Sequence, residues 1–214
     1  MSEQDVVSAL VSGADYLGFV LAPSKRRVQP QDVRAWLKKA EGLAQGDQGQ
    51  QVSSVLVLVD ASLDDIVSLA LQTGVSHVQL CGNESPELCN TLRMVYGMTV
   101  WKAWRVYGDE RDRKVLAYAK AVDAVLLDTN IPGVAGGSGQ TFAWNEIDRI
   151  RNFLPNMAYA VAGGLTPDNV ADLLFSHKAD IVDVSSGIET DGHKDPHKMR
   201  RFIQEVRRVS HGSR

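Results

Sequence analysis

The chain has 214 residues, a formal net charge of −3 and an apolar fraction of 44%. That length suffices for one large domain with a single core, and the small negative charge provides no field that attracts nucleic acid or an anionic membrane. No apolar run reaches the roughly eighteen residues of a membrane helix, and the N-terminus lacks the segments of a secretory signal. We therefore expect a cytoplasmic protein without nucleic-acid or membrane partners, in which Cys81 and Cys89 stay reduced.

Short apolar runs recur along the chain and predict seven buried strands. They cover residues 16–21, 55–59, 77–80, 100–104, 124–127, 159–162 and 181–184. Most are too short for helices and too continuously apolar for strands that are exposed on one face. Strands of this kind are typical of a parallel sheet that helices cover on both faces.

Amphipathic segments alternate with these runs and predict helices over residues 2–13, 63–71 and 170–175, with a further helix that starts at Pro86 behind the capping residue Ser85. The Gly- and Gln-rich residues 42–51 predict an exposed loop.

We expect one domain over residues 1–209 and a disordered tail over 210–214. Strict alternation of strand and helix predicts an α/β fold. Seven strands fit a doubly wound sheet, whereas a (βα)8 barrel needs one more.

Two loops rich in glycine and serine follow the last two predicted strands. The first contains Gly163 and Gly164, and the second contains Ser185, Ser186 and Gly187. Glycines let the backbone approach a ligand, and backbone N–H groups with serine hydroxyls bind phosphate oxygens. Either loop alone is more simply a tight turn. Together, after the final strands, they predict a phosphate site.

Asp128 ends an apolar run and precedes a glycine-dense loop over residues 136–142, which includes Gly137 and Gly139. An acidic residue at the carboxyl end of a buried strand is a typical position for a catalytic group of a barrel enzyme. Arg26 follows the first visible strand, where an arginine can hold a carboxylate with two parallel hydrogen bonds. The simpler interpretation of Arg26 is a solvated basic turn.

Seven segments, in this order along the chain, resemble phosphoribosylanthranilate isomerase. They are Gly-Ala-Asp-Tyr-Leu-Gly-Phe-Val at 13–20, Ser-Lys-Arg at 24–26, His-Val-Gln-Leu at 77–80, Leu-Leu-Asp-Thr at 126–129, Gly-Gly-Ser-Gly at 136–139, Ala-Gly-Gly-Leu at 162–165 and Val-Asp-Val-Ser-Ser-Gly-Ile-Glu at 182–189. The resemblance implies a (βα)8 TIM barrel. It implies the Amadori rearrangement of N-(5-phosphoribosyl)anthranilate to 1-(2-carboxyphenylamino)-1-deoxyribulose 5-phosphate in tryptophan biosynthesis, with no metal or organic cofactor.

The resemblance also implies roles for individual residues. Asp128 is the general acid that protonates the ribose ring oxygen, and Arg26 holds the anthranilate carboxylate of the small-molecule phosphoribosyl substrate. The loops after the last two strands hold the phosphate, and Gly137 and Gly139 belong to a substrate-binding loop. Asp183 lies near the active site of the family, although a hydrogen-bonded carboxylate at a strand end is an equally good interpretation.

The chain departs from the family pattern at its beginning. The first strand of the family has the form Lys-x-Cys-Gly, and its cysteine is the general base, whereas the chain starts at Met1 just beyond that position. We therefore expect a barrel that lacks strand one at the N-terminus. Three explanations stay open: an incorrectly chosen start, a genuinely truncated barrel that is inactive or only binds phosphosugars, or a substitute base. Cys81 is the obvious substitute, but the simpler interpretation is a small apolar filler.

Overall fold

The computed structural model describes residues 1–44, 52–128 and 144–212. The chain forms two compact units, Met1–Trp101 and Lys102–Arg214. The boundary between them falls inside one strand, so that this strand contributes residues to both units. The single domain expected over residues 1–209 stays a prediction.

The first unit alternates helices with strands that pair in chain order. Its elements are α1 (Glu3–Ser12), β1 (Tyr16–Val20), α2 (Pro30–Ala44), β2 (Ser53–Leu58), α3 (Leu63–Thr73), β3 (His77–Leu80), α4 (Pro86–Met94) and the start of β4 (Thr99–Arg105). The pairs β1–β2 and β2–β3 are parallel. The N–H of Thr99 donates to the carbonyl oxygen of Ser76 at 3.1 Å, which connects the start of β4 to the residue that precedes β3.

The second unit continues the same alternation. Its elements are the end of β4, a 3₁₀ helix (Glu110–Tyr118), β5 (Ala124–Asp128), α5 (Asn145–Phe153), β6 (Ala158–Val161), α6 (Val170–Ser176), β7 (Ile181–Val182), a short 3₁₀ helix (Ser186–Ile188), β8 (Glu189–Thr190), β9 (His193–Lys194) and α7 (Pro196–Gly212). The pairs β5–β6 and β6–β7 are parallel, and β8 pairs with β9 as an antiparallel hairpin.

The seven predicted strands are confirmed, with end points that differ from the prediction by at most two residues. Strand β7 ends at Val182, two residues before the prediction, although the N–H of Asp183 still donates to Val161 O at 2.8 Å. Helix α2 extends to Ala44, into the predicted loop. Helix α7 extends to Gly212, into the predicted tail, because the helix buries Val209 and the Ser210 hydroxyl bonds within it. Residues 213–214 lie outside the described residues.

Helix starts follow the capping chemistry of the sequence. The Ser2 hydroxyl accepts a hydrogen bond from the N–H of Asp5, whose carboxylate accepts one from the N–H of Ser2 at 2.7 Å, which is a complete capping box. The hydroxyl groups of Ser62 and Ser85 accept hydrogen bonds from the N–H groups of Asp65 and Leu88 at the starts of α3 and α4, and Pro86 occupies the first turn of α4. These caps fix where each helix begins.

One buried carboxylate organises the segment that follows β4. The Asp112 side chain is fully buried and accepts hydrogen bonds from Trp104 Nε1 at 3.0 Å and from the backbone N–H groups of Tyr107 and Gly108 at 3.0 and 2.9 Å. It also forms an ion pair with the guanidinium of Arg149. A buried charge is tolerated only when it is paired and hydrogen-bonded in this way.

We expect Asp112→Ala to destabilise the chain by about 3–5 kcal/mol, because the substitution leaves the Arg149 guanidinium and several N–H donors without their acceptor. Urea-induced unfolding followed by circular dichroism measures the change. Glu110→Ala is the matched control, since the exposed Glu110–Arg113 pair contributes about 0–1 kcal/mol. Equal unfolding midpoints for the two variants would contradict the role of Asp112.

Candidate active site

Strands β5, β6 and β7 of the second unit pair in a register that places small and apolar side chains in one row. Leu126 pairs with Ala160, and Ala160 pairs with Ile181. Leu126, Ala160 and Ala162 form a buried cluster with Ala103 and Ile181 packed against it. The face of these strands that carries the cluster is called the inner face below.

Asp128 and Asp183 continue the inner face toward the carboxyl ends of the strands. Asp128 lies two residues after Leu126, and Asp183 lies two residues after Ile181. Because residues two apart in a strand lie on the same face, both aspartates lie on the inner face. Ala162 takes the corresponding position on the strand between them. Two strand spacings separate the backbones of Asp128 and Asp183 by about 9–10 Å, and Ala162 occupies the strand position between them.

The Asp183 carboxyl group lies in a recess. Solvent reaches its side chain, yet protein surrounds it. The loss of bulk water raises the pKa of Asp183, and the negative charge of Asp128 raises the pKa further. The ammonium group of Lys194 and a hydrogen bond from the N–H of Val184 act in the opposite direction. This repulsion agrees with the register, which places the two carboxyl groups on either side of Ala162.

The two loops predicted to bind phosphate are in backbone contact. A Cβ atom added to Gly187 would lie only 1.8 Å from the carbonyl oxygen of Leu165, so the loop after β7 can pass the loop after β6 only with glycine at this position. Gly163 and Gly164 have φ angles of 84° and 68°, which side chains other than glycine rarely adopt. The sequence prediction that these loops act together is thus supported by their geometry.

Backbone donors line this contact. Within the part of the chain that the structure describes, no acceptor is found for the N–H groups of Gly163, Gly164, Ser186 and Gly187. These four N–H groups are called the amide cradle below. A group of N–H donors on glycine-containing loops, two of them at the start of a short helix, favours a bound anion.

A side chain fixes the loop after β6. The amide nitrogen of Asn169 donates to Gly164 O at 3.0 Å, and its amide oxygen accepts from the N–H of Thr166 at 2.8 Å. Asn169 therefore ties the start of α6 to the glycine loop through two hydrogen bonds.

The β8–β9 hairpin was missed in the sequence. Asp191 and Gly192 form its turn with φ angles of 51° and 80°, the pattern of a type I′ turn, and Asp-Gly is a strong sequence signal for that turn. The hairpin brings the ammonium group of Lys194 to Ser185 and Glu189. Lys194 is thus a residue of the site that the reasoning from motifs did not find.

Other predicted site residues lie elsewhere. Arg26 belongs to the first unit, where it is partly buried in the turn after β1, and its N–H donates to Ser24 Oγ at 3.1 Å. Gly137 and Gly139 lie outside the described residues. Cys81 follows β3 in the first unit, and its sulfur accepts a hydrogen bond from Gln79 Nε2 at 3.3 Å. Its role as a base stays a prediction.

Neither a candidate metal site nor a candidate membrane span occurs within residues 1–44, 52–128 and 144–212. Those residues contain no group of three His, Cys, Asp or Glu side chains that can hold a metal ion. None of their helices is long and apolar enough to span a bilayer.

The family model for N-(5'phosphoribosyl)anthranilate (PRA) isomerase matches residues 1–205. The chain belongs to this family. The N-(5'-phosphoribosyl)anthranilate isomerase of Geobacillus thermodenitrificans (strain NG80-2) is 37% identical over 209 residues, which are 96% of this chain and 90% of that protein. The resemblance found in the sequence is therefore confirmed.

Solved structures of the phosphoribosylanthranilate isomerase family have the same fold. The structure from Thermotoga maritima is similar with a TM-score of 0.81 and 33% identity, over 97% of this chain and 95% of that chain. A second structure of the isomerase, in complex with reduced 1-(o-carboxyphenylamino)-1-deoxyribulose 5-phosphate, is similar with a TM-score of 0.77 and 31% identity, over 96% and 94%. The predicted α/β TIM-barrel fold class is thus confirmed, with seven sheet strands in the described part of the chain.

We expect Gly187→Ala to separate the two loops and disrupt the amide cradle, because the added methyl group collides with a backbone carbonyl oxygen. The expected loss of stability is about 1–3 kcal/mol, with a clear loss of affinity for inorganic phosphate in calorimetric titration. Gly18→Ala is the control, since its added Cβ meets Val57 at an ordinary contact distance of 3.5 Å. Similar phosphate affinity in the two variants would contradict the contact.

Asp183→Asn is expected to stabilise the chain at alkaline pH. A carboxyl group with a raised pKa holds its proton more tightly in the folded chain than in the unfolded chain, so folding loses stability as pH rises through this range. The gain is complete above the raised pKa, and it disappears below the ordinary carboxyl pKa of about 4. Denaturant unfolding at several pH values tests this, and a gain independent of pH would contradict it.

Proposed function

We propose that the chain catalyses the isomerisation of N-(5'-phosphoribosyl)anthranilate to 1-(o-carboxyphenylamino)-1-deoxyribulose 5-phosphate in tryptophan biosynthesis. Membership of the isomerase family supports this reaction. The observation that carries the proposal is the position of two interacting carboxyl groups, Asp128 at the end of β5 and Asp183 just after β7, on either side of β6, whose following loop carries part of the amide cradle. A phosphosugar needs both features, since its phosphate binds N–H donors and its ring opens by acid catalysis.

The first chemical step is ring opening, and Asp128 is its general acid. The Asp128 carboxyl group gives its proton to the ribose ring oxygen as the bond from that oxygen to C1′ breaks, which leaves an iminium ion at C1′. Loss of the C2′ proton to a general base then gives an enol, and tautomerisation of the enol gives the ketone product. Each step moves a proton, so no oxidant or reductant is needed.

Asp183 assists by holding a second carboxyl group beside the acid. Two carboxyl groups in one recess titrate as a pair, because ionisation of one disfavours ionisation of the other. The raised pKa of Asp183 supports such coupling. The pair thereby favours a proton on Asp183 above the ordinary pKa range of an aspartate, and ring opening requires that this proton pass to Asp128.

The substrate anions bind at separate groups. The amide cradle and the hydroxyl groups of Ser185 and Ser186 bind the ribose phosphate, since N–H and O–H donors suit phosphate oxygens. Arg26 binds the anthranilate carboxylate, a role that rests on the Ser-Lys-Arg resemblance of residues 24–26.

The binding partner of the chain is a small molecule, and the low net charge supports neither nucleic acid nor a membrane as a further partner. The cytoplasm is the compartment that we propose, in keeping with Cys81 and Cys89, which do not form a disulfide.

Asp128→Asn is expected to lower kcat by about 100-fold to 10,000-fold, because the amide cannot donate a proton to the ring oxygen. Phosphate binding remains, since the cradle is unchanged. Fluorescence assays of N-(5'-phosphoribosyl)anthranilate conversion give kcat and KM. Asp123→Asn is the control, because Asp123 directly precedes the start of β5, whereas Asp128 lies at its end.

Three outcomes separate the interpretations. Conversion by the parent chain with loss in Asp128→Asn supports the proposed function. Conversion that Asp128→Asn leaves intact contradicts the assignment of the acid. Phosphate binding without conversion by the parent chain contradicts the isomerase function and favours the alternative of a barrel that only binds phosphosugars.

A further inference from the structure

The β8–β9 hairpin places a lysine against the proposed phosphate loop. Lys194 ends β9, and its ammonium group donates to the carbonyl oxygen of Ser185 at 2.8 Å and lies 3.4 Å from the Ser185 hydroxyl. The same ammonium group forms an ion pair with Glu189 at 3.1 Å. Both charged side chains are nearly buried, with 12% of Lys194 and 10% of Glu189 exposed. A charge pair this enclosed is costly unless its geometry is fixed.

The hydrogen bond to Ser185 determines where a neighbouring donor points. The described residues contain no cis peptide, so the peptide between Ser185 and Ser186 is planar and trans. In a trans peptide the C=O and N–H groups point in opposite directions. When the Ser185 carbonyl points at Lys194, the Ser186 N–H therefore points away from Lys194, and this N–H belongs to the amide cradle.

The position of Lys194 favours a role in holding the loop over direct binding of phosphate by the lysine. Its ammonium group donates to the Ser185 carbonyl oxygen at 2.8 Å and to the Glu189 carboxylate at 3.1 Å. These two acceptors take two of the three N–H donors of an ammonium group. Lys194 therefore acts on the loop through most of its hydrogen-bonding capacity.

We propose that Lys194 is a positioning residue for phosphate binding, which holds the Ser185 carbonyl so that the Ser186 N–H of the amide cradle faces the ligand. The proposal rests on the proposed function, because it assigns a role within the same phosphosugar site. Glu189 keeps Lys194 in place, and the Asp191–Gly192 turn sets the distance from the hairpin to the loop.

The test compares phosphate affinity with stability. Lys194→Met removes the donor and takes the ammonium group away from the nearly buried Glu189 carboxylate, which destabilises the fold by itself. The double variant Lys194→Met/Glu189→Gln has no such charge. We expect the double variant to regain most of the stability lost in Lys194→Met. Its affinity for inorganic phosphate should nevertheless stay about 10-fold to 100-fold weaker than that of the parent chain, as expected for loss of one charged hydrogen bond.

Two further variants complete the experiment. Lys198→Met is the matched control, because the Lys198 ammonium donates to the Glu189 backbone carbonyl at 2.7 Å and thus holds the same hairpin without touching Ser185. We expect parental phosphate affinity in Lys198→Met. Lys194→Arg retains the charge and the donors, so its phosphate affinity should lie closer to that of the parent chain than to that of the double variant.

Calorimetric titration with inorganic phosphate gives the affinities, urea unfolding gives the stabilities, and conversion of N-(5'-phosphoribosyl)anthranilate gives KM and kcat. A rise in KM that matches the loss of phosphate affinity, with a smaller change in kcat, supports the proposal. Parental phosphate affinity in the double variant overturns the role of Lys194, whatever the activity. Phosphate binding that depends on Lys194 in a chain without isomerase activity supports the role and contradicts only the proposed function. A parent chain that binds no phosphate overturns both.

Discussion

The parallel register of β5, β6 and β7 is the constraint on which the candidate active site depends. It sets Leu126, Ala160 and Ile181 at one level of the inner face, and two residues later it sets Asp128, Ala162 and Asp183 at the next. A shift of one residue in either pair would turn one carboxyl group to the opposite face. The chemistry of ring opening and the apolar packing beneath it therefore share a single structural cause.

Above this row, the site is built from backbone as much as from side chains. The close approach of Gly187 to Leu165 O brings two loops together and leaves their N–H groups for an anion. Side chains then fix the loops from outside: Asn169 holds Gly164, and Lys194 holds Ser185. A site whose donors are held in place before the ligand arrives loses less conformational freedom on binding.

Much of the fold was predictable from the sequence, because buried parallel strands appear as short, continuously apolar runs and helix starts carry their own caps. The glycine loops and Asp128 were predictable for a similar reason, since each stands directly at a strand end.

Contacts between residues that are distant in sequence were not predictable. Whether Asp183 faces Asp128 depends on register, and no local pattern reveals that the Asp112 carboxylate gathers donors from Trp104 and Arg149. The hairpin that carries Lys194 had a local signal, Asp191-Gly192, but its strands are only two residues long and lack the alternation that identifies longer strands.

The central claim is that one face of the second unit holds both the acid and the phosphate of a phosphoribosyl compound. A crystal structure of the chain with reduced 1-(o-carboxyphenylamino)-1-deoxyribulose 5-phosphate tests it most directly. The account predicts phosphate oxygens within hydrogen-bond distance, about 2.7–3.2 Å, of the Gly164 and Gly187 N–H groups, with the ribulose chain beside the Asp128 carboxyl group. A phosphate bound away from these loops, or a sugar that does not approach Asp128, would contradict it.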